Sequence, residues 1–126
     1  MSTKKITLGQ PPASFPARVK FALLDGGETE IAVRFKYRTR SEYAAFVSAT
    51  WPKAPSEPPA DMTPADVVDR DIEGEVRYMT GALDAWDLED PLNGVNLRRL
   101  ADMYPAASQA IASAYYVAVN EGRVKN

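Results

Sequence analysis

The chain has 126 residues, 45% hydrophobic and 25% charged, which is typical of a single globular domain with its own core. It contains neither cysteine nor histidine, so disulfides, thiol chemistry and Ser-His-Asp or Cys-His catalysis within this chain are excluded, and the commonest metal ligand is missing. The net charge is −2 and both signs are mixed along the chain, which predicts a protein that does not bind nucleic acid. The chain has no apolar signal region and no run near the roughly 18 apolar residues of a membrane span. These features predict a cytoplasmic protein that does not bind a membrane.

The first part of the chain predicts a β-hairpin. Residues 1–16 contain three prolines, which should interrupt any regular element there, and are expected to be loosely ordered. Apolar residues then alternate with other residues on both sides of an Asp-Gly-Gly turn signal. This pattern predicts strands at about 17–24 and 29–38, with one apolar face and one basic face.

A short helix and a loop are predicted next. A capping box that begins at Thr39 predicts a helix over residues 39–50. Its apolar stripe is formed by Tyr43, Phe46 and Val47. Because a lone hairpin is only marginally stable, we expect this helix to cover the apolar face of the hairpin. Residues 51–63 are rich in proline and predict an irregular loop, with a proline-rich ligand for a partner groove as the alternative.

The second half of the chain begins with a long helix. Thr63 as the N-cap and Pro64 in the first turn are a strong start signal. The helix, at about 64–79, has an apolar stripe formed by Val68, Ile72, Val76 and Met79. Gly81 is expected to stop it.

Two further helices are predicted after a short ambiguous segment. Asn93 can cap a helix at about 94–104. Pro105 is well placed as the first residue of the last helix, at about 105–121, and Gly122 ends that helix.

The predicted fold class is therefore α+β: an N-terminal antiparallel β-hairpin packed on a small bundle of about four α-helices. Residues 64–122 form the helical part and residues 123–126 a polar tail. We predict a single domain over residues 1–126.

An acidic cluster precedes the third helix and consists of Asp84, Asp87, Glu89 and Asp90. Paired carboxylates can perform acid-base chemistry, and several together can bind a hard cation. The spacing, however, departs from the calcium-binding loop pattern, and carboxylates near a helix N-terminus are favourable in themselves. A solvated acidic turn is favoured over a metal or catalytic site.

Three other features are candidate binding surfaces. Trp86 is either a core anchor or an exposed aromatic residue in a binding site. Tyr116, with Arg123 and Lys125, is a candidate contact surface at the end of the last helix. A basic strand face, for which a solvated surface is the simpler interpretation, consists of Arg18, Lys20, Arg34 and Lys36, extended by Arg38 and Arg40.

Two stretches of the chain resemble the tail assembly chaperones of tailed bacteriophages and prophages. They are VRFKYRTRSEYAAF, residues 33–46, and AWDLEDPLNGVNLRRLADMYPAASQAIASAYYVAVNEGRVKN, residues 85–126. The shared features are a Trp-Asp-Leu followed by acids, a helix led by Asn, a Tyr-Pro break and a last helix with an Ala-Tyr pair. Family members often have glycine where this chain has Ala85.

The resemblance implies a non-enzymatic protein without cofactor that binds the tape measure protein, keeps it soluble and helps to recruit tail tube subunits. It also implies action in the host cytoplasm and absence from the mature virion. The partner surface is then expected around Trp86, Leu88, Leu92 and Tyr104, with Tyr116 nearby. The oligomeric state stays open.

Three alternatives compete with this interpretation. The first is a small structural or tail-completion protein that stays in the particle. The second is an enzyme that acts through the carboxylates between Asp84 and Asp90. The third is a toxin–antitoxin or regulatory module, which the lack of a helix-turn-helix signal with a basic recognition helix disfavours.

Overall fold

The structure, a computed structural model, describes residues 4–51 and 61–124. Within these residues an antiparallel three-stranded sheet and four helices confirm the predicted α+β class. In chain order the elements are β1 (Ser14–Ala22), β2 (Glu28–Lys36), α1 (Arg40–Thr50), α2 (Pro64–Ala82), β3 (Leu83–Trp86), α3 (Gly94–Met103) and α4 (Pro105–Glu121). No helix in the described part of the chain is long and apolar enough to cross a membrane. Most of the predicted proline-rich loop, residues 52–60, lies outside the described residues.

Strands β1 and β2 form the predicted hairpin, with Val19 opposite Ile31. The turn between them places Gly26 at φ +90°, a left-handed conformation that glycine adopts without strain. The Gly27 N–H donates to the Asp25 carboxylate at 2.8 Å. Alternate side chains point into the core, and the buried face of the hairpin consists of Ala17, Val19, Phe21, Ile31, Val33 and Phe35.

Strand β1 begins at Ser14, inside the segment that was expected to be loosely ordered. Pro16 lies within the strand, opposite Arg34, so the expectation that it interrupts any regular element is wrong. Strand β1 is at one edge of the sheet, whose order is β1-β2-β3. An edge strand tolerates proline because the missing N–H need not face a neighbouring strand.

A third strand, β3, corrects the predicted two-stranded hairpin to a three-stranded sheet. It pairs antiparallel with β2, with Trp86 opposite Val33 and Leu83 opposite Phe35, and its register shifts between these pairs. Four residues are too few to show a strand periodicity. Only the fold, which brings the end of α2 beside β2, makes this pairing evident.

Helix α4 covers the sheet, whereas α1 was expected to do so. Strand β1 packs mainly against α4, and α1 packs against α2 and α4 instead. The aromatic rings of Phe35 and Tyr115 lie 4.9 Å apart at this contact. Helix α4 is 17 residues long and presents small side chains beside its larger ones, so it can approach the whole sheet closely. Helix α1 has 11 residues, of which only Tyr43 and Thr50 are buried, so it covers less of the core.

The boundaries of the helices follow their capping signals, with one exception. The predicted capping box at Thr39 is present, the predicted N-cap Thr63 forms a second capping box with Asp66, and Gly122 ends α4 at φ +70°. Gly81, however, does not stop α2, which continues to Ala82. A glycine is required at position 81 for another reason, since a Cβ there would overlap the ring of Phe46.

The buried stripe of α2 also differs from the prediction. Val68 is 53% exposed, and Tyr78 is buried instead. Tyr78 belongs to a tyrosine cluster formed by Tyr43, Tyr78 and Tyr115 at the centre of the core. The hydroxyls of Tyr43 and Tyr78 are 2.8 Å apart, and the Tyr115 hydroxyl donates to the Lys36 carbonyl at 2.8 Å.

Burial shifts the pKa of two tyrosines in this cluster. Desolvation raises the pKa of Tyr78 and of Tyr115 above the ordinary value of 10.0. For Tyr115 the nearby Arg38 guanidinium, which donates to its hydroxyl at 2.8 Å, opposes part of this rise in pKa. The tyrosine cluster is a set of packed, hydrogen-bonded rings that joins α1, α2 and α4.

Candidate partner-binding site

The acidic cluster lies in β3, which contains Asp84, and in the exposed turn that follows it. Asp84, Asp87, Glu89 and Asp90 are all exposed. The Asp87 N–H donates to the Ala32 carbonyl at 3.0 Å, and the Asp87 carboxylate accepts from the Ala32 N–H at 3.0 Å. Asp87 thus continues the pairing of β3 with β2. In residues 4–51 and 61–124 no group of three or more acidic side chains is placed to hold a metal ion.

Trp86 closes this turn. Its indole N–H donates to the Asp90 carbonyl at 2.7 Å, and its ring is half-buried against the core. The Asn93 side chain accepts from the Asn96 N–H at 2.9 Å and caps α3 as predicted. The Asn96 side chain in turn donates to the Pro91 carbonyl at 2.8 Å. Side-chain hydrogen bonds therefore hold the whole connection between β3 and α3.

Trp86 also forms one wall of a cleft, here called the Trp86 cleft. The cleft has a volume of about 430 Å³ and lies between the turn and the end of α3. Its apolar lining comes from Trp86, Leu100, Met103 and Tyr104, and its polar lining from Asp90, Asn96 and Arg99. Met103 is 63% exposed and Tyr104 is 42% exposed. Concave apolar surface with a few polar groups at its rim is typical of a site that accepts side chains of a partner.

The structure brings together only two of the five predicted contact residues. Trp86 and Tyr104 line the same cleft. Leu88 and Leu92 are half-buried and pack against the core instead. Tyr116 is exposed but lies against Tyr43 of α1, about 18 Å along α4 from Tyr104 at 1.5 Å per residue.

In the apolar lining of the cleft, sequence reasoning named neither Leu100 nor Met103 as a contact residue, and Met103 is the more exposed of the two. It is the last residue of α3 and directly precedes the Tyr104-Pro105 break. An apolar residue at a helix end was the available signal, because side chains there are less often covered by a neighbouring helix. Lys125, which was grouped with Tyr116 as a candidate contact, lies outside the described residues.

A larger concavity, here called the α1–α4 groove, lies at the other end of α4. Its volume is about 1010 Å³, and it is formed by the start of β1, the start of α1 and the end of α4. Its apolar lining includes Phe15, Tyr37, Val119 and Val124, and its charged lining is Arg38, Arg40 and Arg123. Because these residues come from three distant segments, no local pattern in the sequence indicates the groove.

Arg38 also corrects the predicted basic strand face. Its guanidinium donates to the Gly81 carbonyl and the Tyr115 hydroxyl and lies 4.0 Å from the centre of the Phe46 ring. It therefore points toward the core and does not extend the solvent face. On the face that remains exposed, Arg18 pairs with Glu30 at 2.9 Å.

Comparisons with known proteins agree with the resemblance seen in the sequence. A family model described as phage tail assembly chaperone matches residues 1–126. Comparisons with curated proteins and with solved structures give no significant match.

Proposed function

The chain belongs to the phage tail assembly chaperone family, and from this membership we propose that it binds the tape measure protein and helps to recruit tail tube subunits around it. The membership itself gives the role in tail assembly. The Trp86 cleft is the observation that supports direct binding of an apolar helical chain.

The chemistry of the Trp86 cleft suits an amphipathic helix. Its lining is mostly apolar, and its charged groups, Asp90 and Arg99, have opposite signs. Such a surface takes apolar side chains at helical spacing without selecting strongly for charge. A tape measure protein is a very long helical and aggregation-prone chain, so a cleft that covers one apolar contact at a time, and releases it, fits the role of a chaperone.

We also propose that the protein acts without catalysing a reaction, in the host cytoplasm, and leaves before the tail is complete. Binding alone accounts for this role and needs no catalytic group. The absence of histidine and cysteine removes the commonest catalytic bases and nucleophiles from the chain.

Co-expression with the tape measure protein of the same phage tests the proposal. We expect the tape measure protein to move into the soluble fraction and to elute with this chain in size exclusion. If it stays insoluble and nothing co-purifies, the proposed tape measure binding is wrong. Mass spectrometry of purified particles then separates an assembly chaperone, which should be absent, from a structural tail protein, which should be present.

A matched pair of variants tests the cleft itself. Met103→Lys places a charge in the apolar lining, and lysine at the end of a helix is favourable for the helix. Val95→Lys introduces the same charge in the first turn of the same helix, where lysine is slightly unfavourable for the helix, and alters a side chain that is 69% exposed and does not line the cleft. We expect Met103→Lys to weaken binding about tenfold or more, a change of about 1.4 kcal/mol, and Val95→Lys to leave it unchanged. Equal binding by both variants would exclude the cleft as the contact.

A further inference from the structure

We propose that the α1–α4 groove is a second docking site, and that it takes an acidic, apolar segment of a protein partner. The site is separate from the Trp86 cleft. Helix α4, whose two ends lie at the two sites, has 17 residues and a length of about 25 Å at 1.5 Å per residue. One molecule could therefore hold two partner segments at the same time.

The charge of the groove carries the first part of this inference. All charged side chains in its lining are arginines, and no carboxylate of the described residues is among them. The two nearest acids in sequence already have partners at the edge of the groove: the Glu42 carboxylate accepts from the Thr39 N–H at 2.9 Å, and the Glu121 carboxylate accepts from Arg123 at 3.0 Å and so compensates one of the three arginines. In a chain with a net charge of −2, this surface has the opposite sign and complements an acidic partner.

Arg40 is the principal cation of the groove. Arg38 is held by the Gly81 carbonyl and the Tyr115 hydroxyl, and Arg123 shares its guanidinium with Glu121. Arg40, the first residue of α1, is exposed and makes no side-chain hydrogen bond within the described part of the chain. A guanidinium in this position can bind one carboxylate in a bidentate arrangement.

The apolar lining decides between classes of ligand. The apolar side chains that share the lining with the arginines are Phe15, Tyr37, Val119 and Val124, and Tyr37 and Val124 are exposed. A nucleic acid or a free phosphate would leave this apolar surface in contact with water, and of the arginines in the described lining only Arg40 is free to neutralise its charge. A peptide segment with one or two acids beside apolar side chains matches both parts of the lining.

The test uses an array of overlapping 15-residue peptides that covers the tail proteins of the same phage, probed with the full chain. We expect the bound peptides to be rich in acidic and apolar residues, and their binding to fall as salt is raised. Two variants of the groove are compared with matched controls. Arg40→Glu is paired with Arg70→Glu on α2, and Val124→Asp with Val68→Asp, both controls being exposed side chains outside the groove.

Loss of binding by Arg40→Glu would not reflect unfolding, because an acid in the first turn of α1 is favourable for the helix. We expect each groove variant to bind the acidic peptides about tenfold more weakly, and each control to bind them as the wild type does. Bound peptides without an excess of acids, or equal binding by Arg40→Glu and Arg70→Glu, would overturn the proposal. So would a 15-nucleotide oligonucleotide that competes for the groove and loses affinity with Arg40→Glu. The tape measure co-expression tests the proposed function separately, and the Met103→Lys variant tests the Trp86 cleft.

Discussion

The tyrosine cluster and the Trp86 cleft use the same kinds of side chain for opposite purposes. In the cluster, Tyr78 and Tyr115 are buried, and each hydroxyl has a hydrogen-bond partner. In the cleft, Tyr104 packs the edge of its ring against Phe21 but stays partly exposed. The difference lies in what covers each group, since α1, α2 and α4 meet over the cluster, whereas no described element covers the end of α3. An aromatic residue thus indicates a binding surface only where the fold leaves it uncovered.

The largest expected effect separates two neighbouring tyrosines. Tyr115→Ala removes a fully buried ring at the contact of α4 with the sheet, and we expect it to lower the free energy of unfolding by about 3 to 5 kcal/mol. Tyr116→Ala removes a ring that is 53% exposed and should lower it by less than about 1 kcal/mol. Urea denaturation of both variants measures the difference. Similar losses would show that the cluster is not the centre of stability.

A pair of glycines tests the close packing beside the cluster. Gly81→Ala forces a Cβ into the ring of Phe46, and the cost of overpacking, about 1 to 3 kcal/mol, should exceed the roughly 1 kcal/mol gained in helix propensity. Gly94→Ala, with open space around its Cβ, should be neutral or slightly stabilising. The midpoint temperature of thermal unfolding should therefore fall for Gly81→Ala and should rise slightly or stay unchanged for Gly94→Ala. Equal shifts would contradict the packing argument.

The hydrogen bond of Trp86 is expected to have a smaller effect. Trp86→Phe keeps an aromatic wall of the cleft but removes the donor to the Asp90 carbonyl, and it should cost about 0.5 to 1.5 kcal/mol. Hydrogen exchange should rise mainly in the turn at residues 87–93. Tyr104→Phe is the matched control, because its hydroxyl makes no hydrogen bond within residues 4–51 and 61–124. Unchanged exchange in the turn of Trp86→Phe would show that this bond does not hold the cleft.

The smallest expected effect is a decline of stability with rising pH, which appears only in alkaline solution. The folded chain keeps the protons of Tyr78 and Tyr115 above the ordinary pKa of 10.0, whereas the unfolded chain releases them near that value. The stability that these groups contribute is therefore fully present below about pH 10 and is lost as the pH rises toward the raised pKa of the folded state. Urea unfolding between about pH 8 and about pH 11 should show this decline.

Tyr78→Phe removes one of the two titrating hydroxyls and should flatten the decline of stability with pH. Tyr116→Phe, which alters an exposed tyrosine, should retain the slope of the wild type. A slope that is the same in all three proteins would mean that the pKa of Tyr78 does not differ between the folded and the unfolded chain.

Much of the secondary structure could be predicted because its signals are local. The capping boxes at Thr39 and Thr63, the turn at Asp25 and the left-handed Gly122 each involve residues within a few positions of one another. Trp86 and Tyr104 were also identified as candidate contacts from the sequence, and the structure places them in one cleft. Whether they bind a partner stays a prediction that the Met103→Lys experiment addresses.

The remaining features depend on contacts between distant parts of the chain. Strand β3 exists because β2 offers it a backbone edge, and Asp87 reaches Ala32 across 55 positions of sequence. Arg38 turns to the core because α2 ends with a carbonyl that accepts its hydrogen bond. Neither residue carries a local signal of its partner, so periodicity could not reveal these contacts.

The sequence by itself determined the hairpin, the helix starts, the end of α4, and the lack of histidine and cysteine chemistry, since these follow from residue type and short-range geometry. The tertiary structure decided that α4 covers the sheet, that Leu88 and Leu92 face inward, and that Trp86 and Tyr104 stay accessible. The physical reason is burial: a side chain becomes core or surface according to which other element lies over it, and that is a property of the assembled fold.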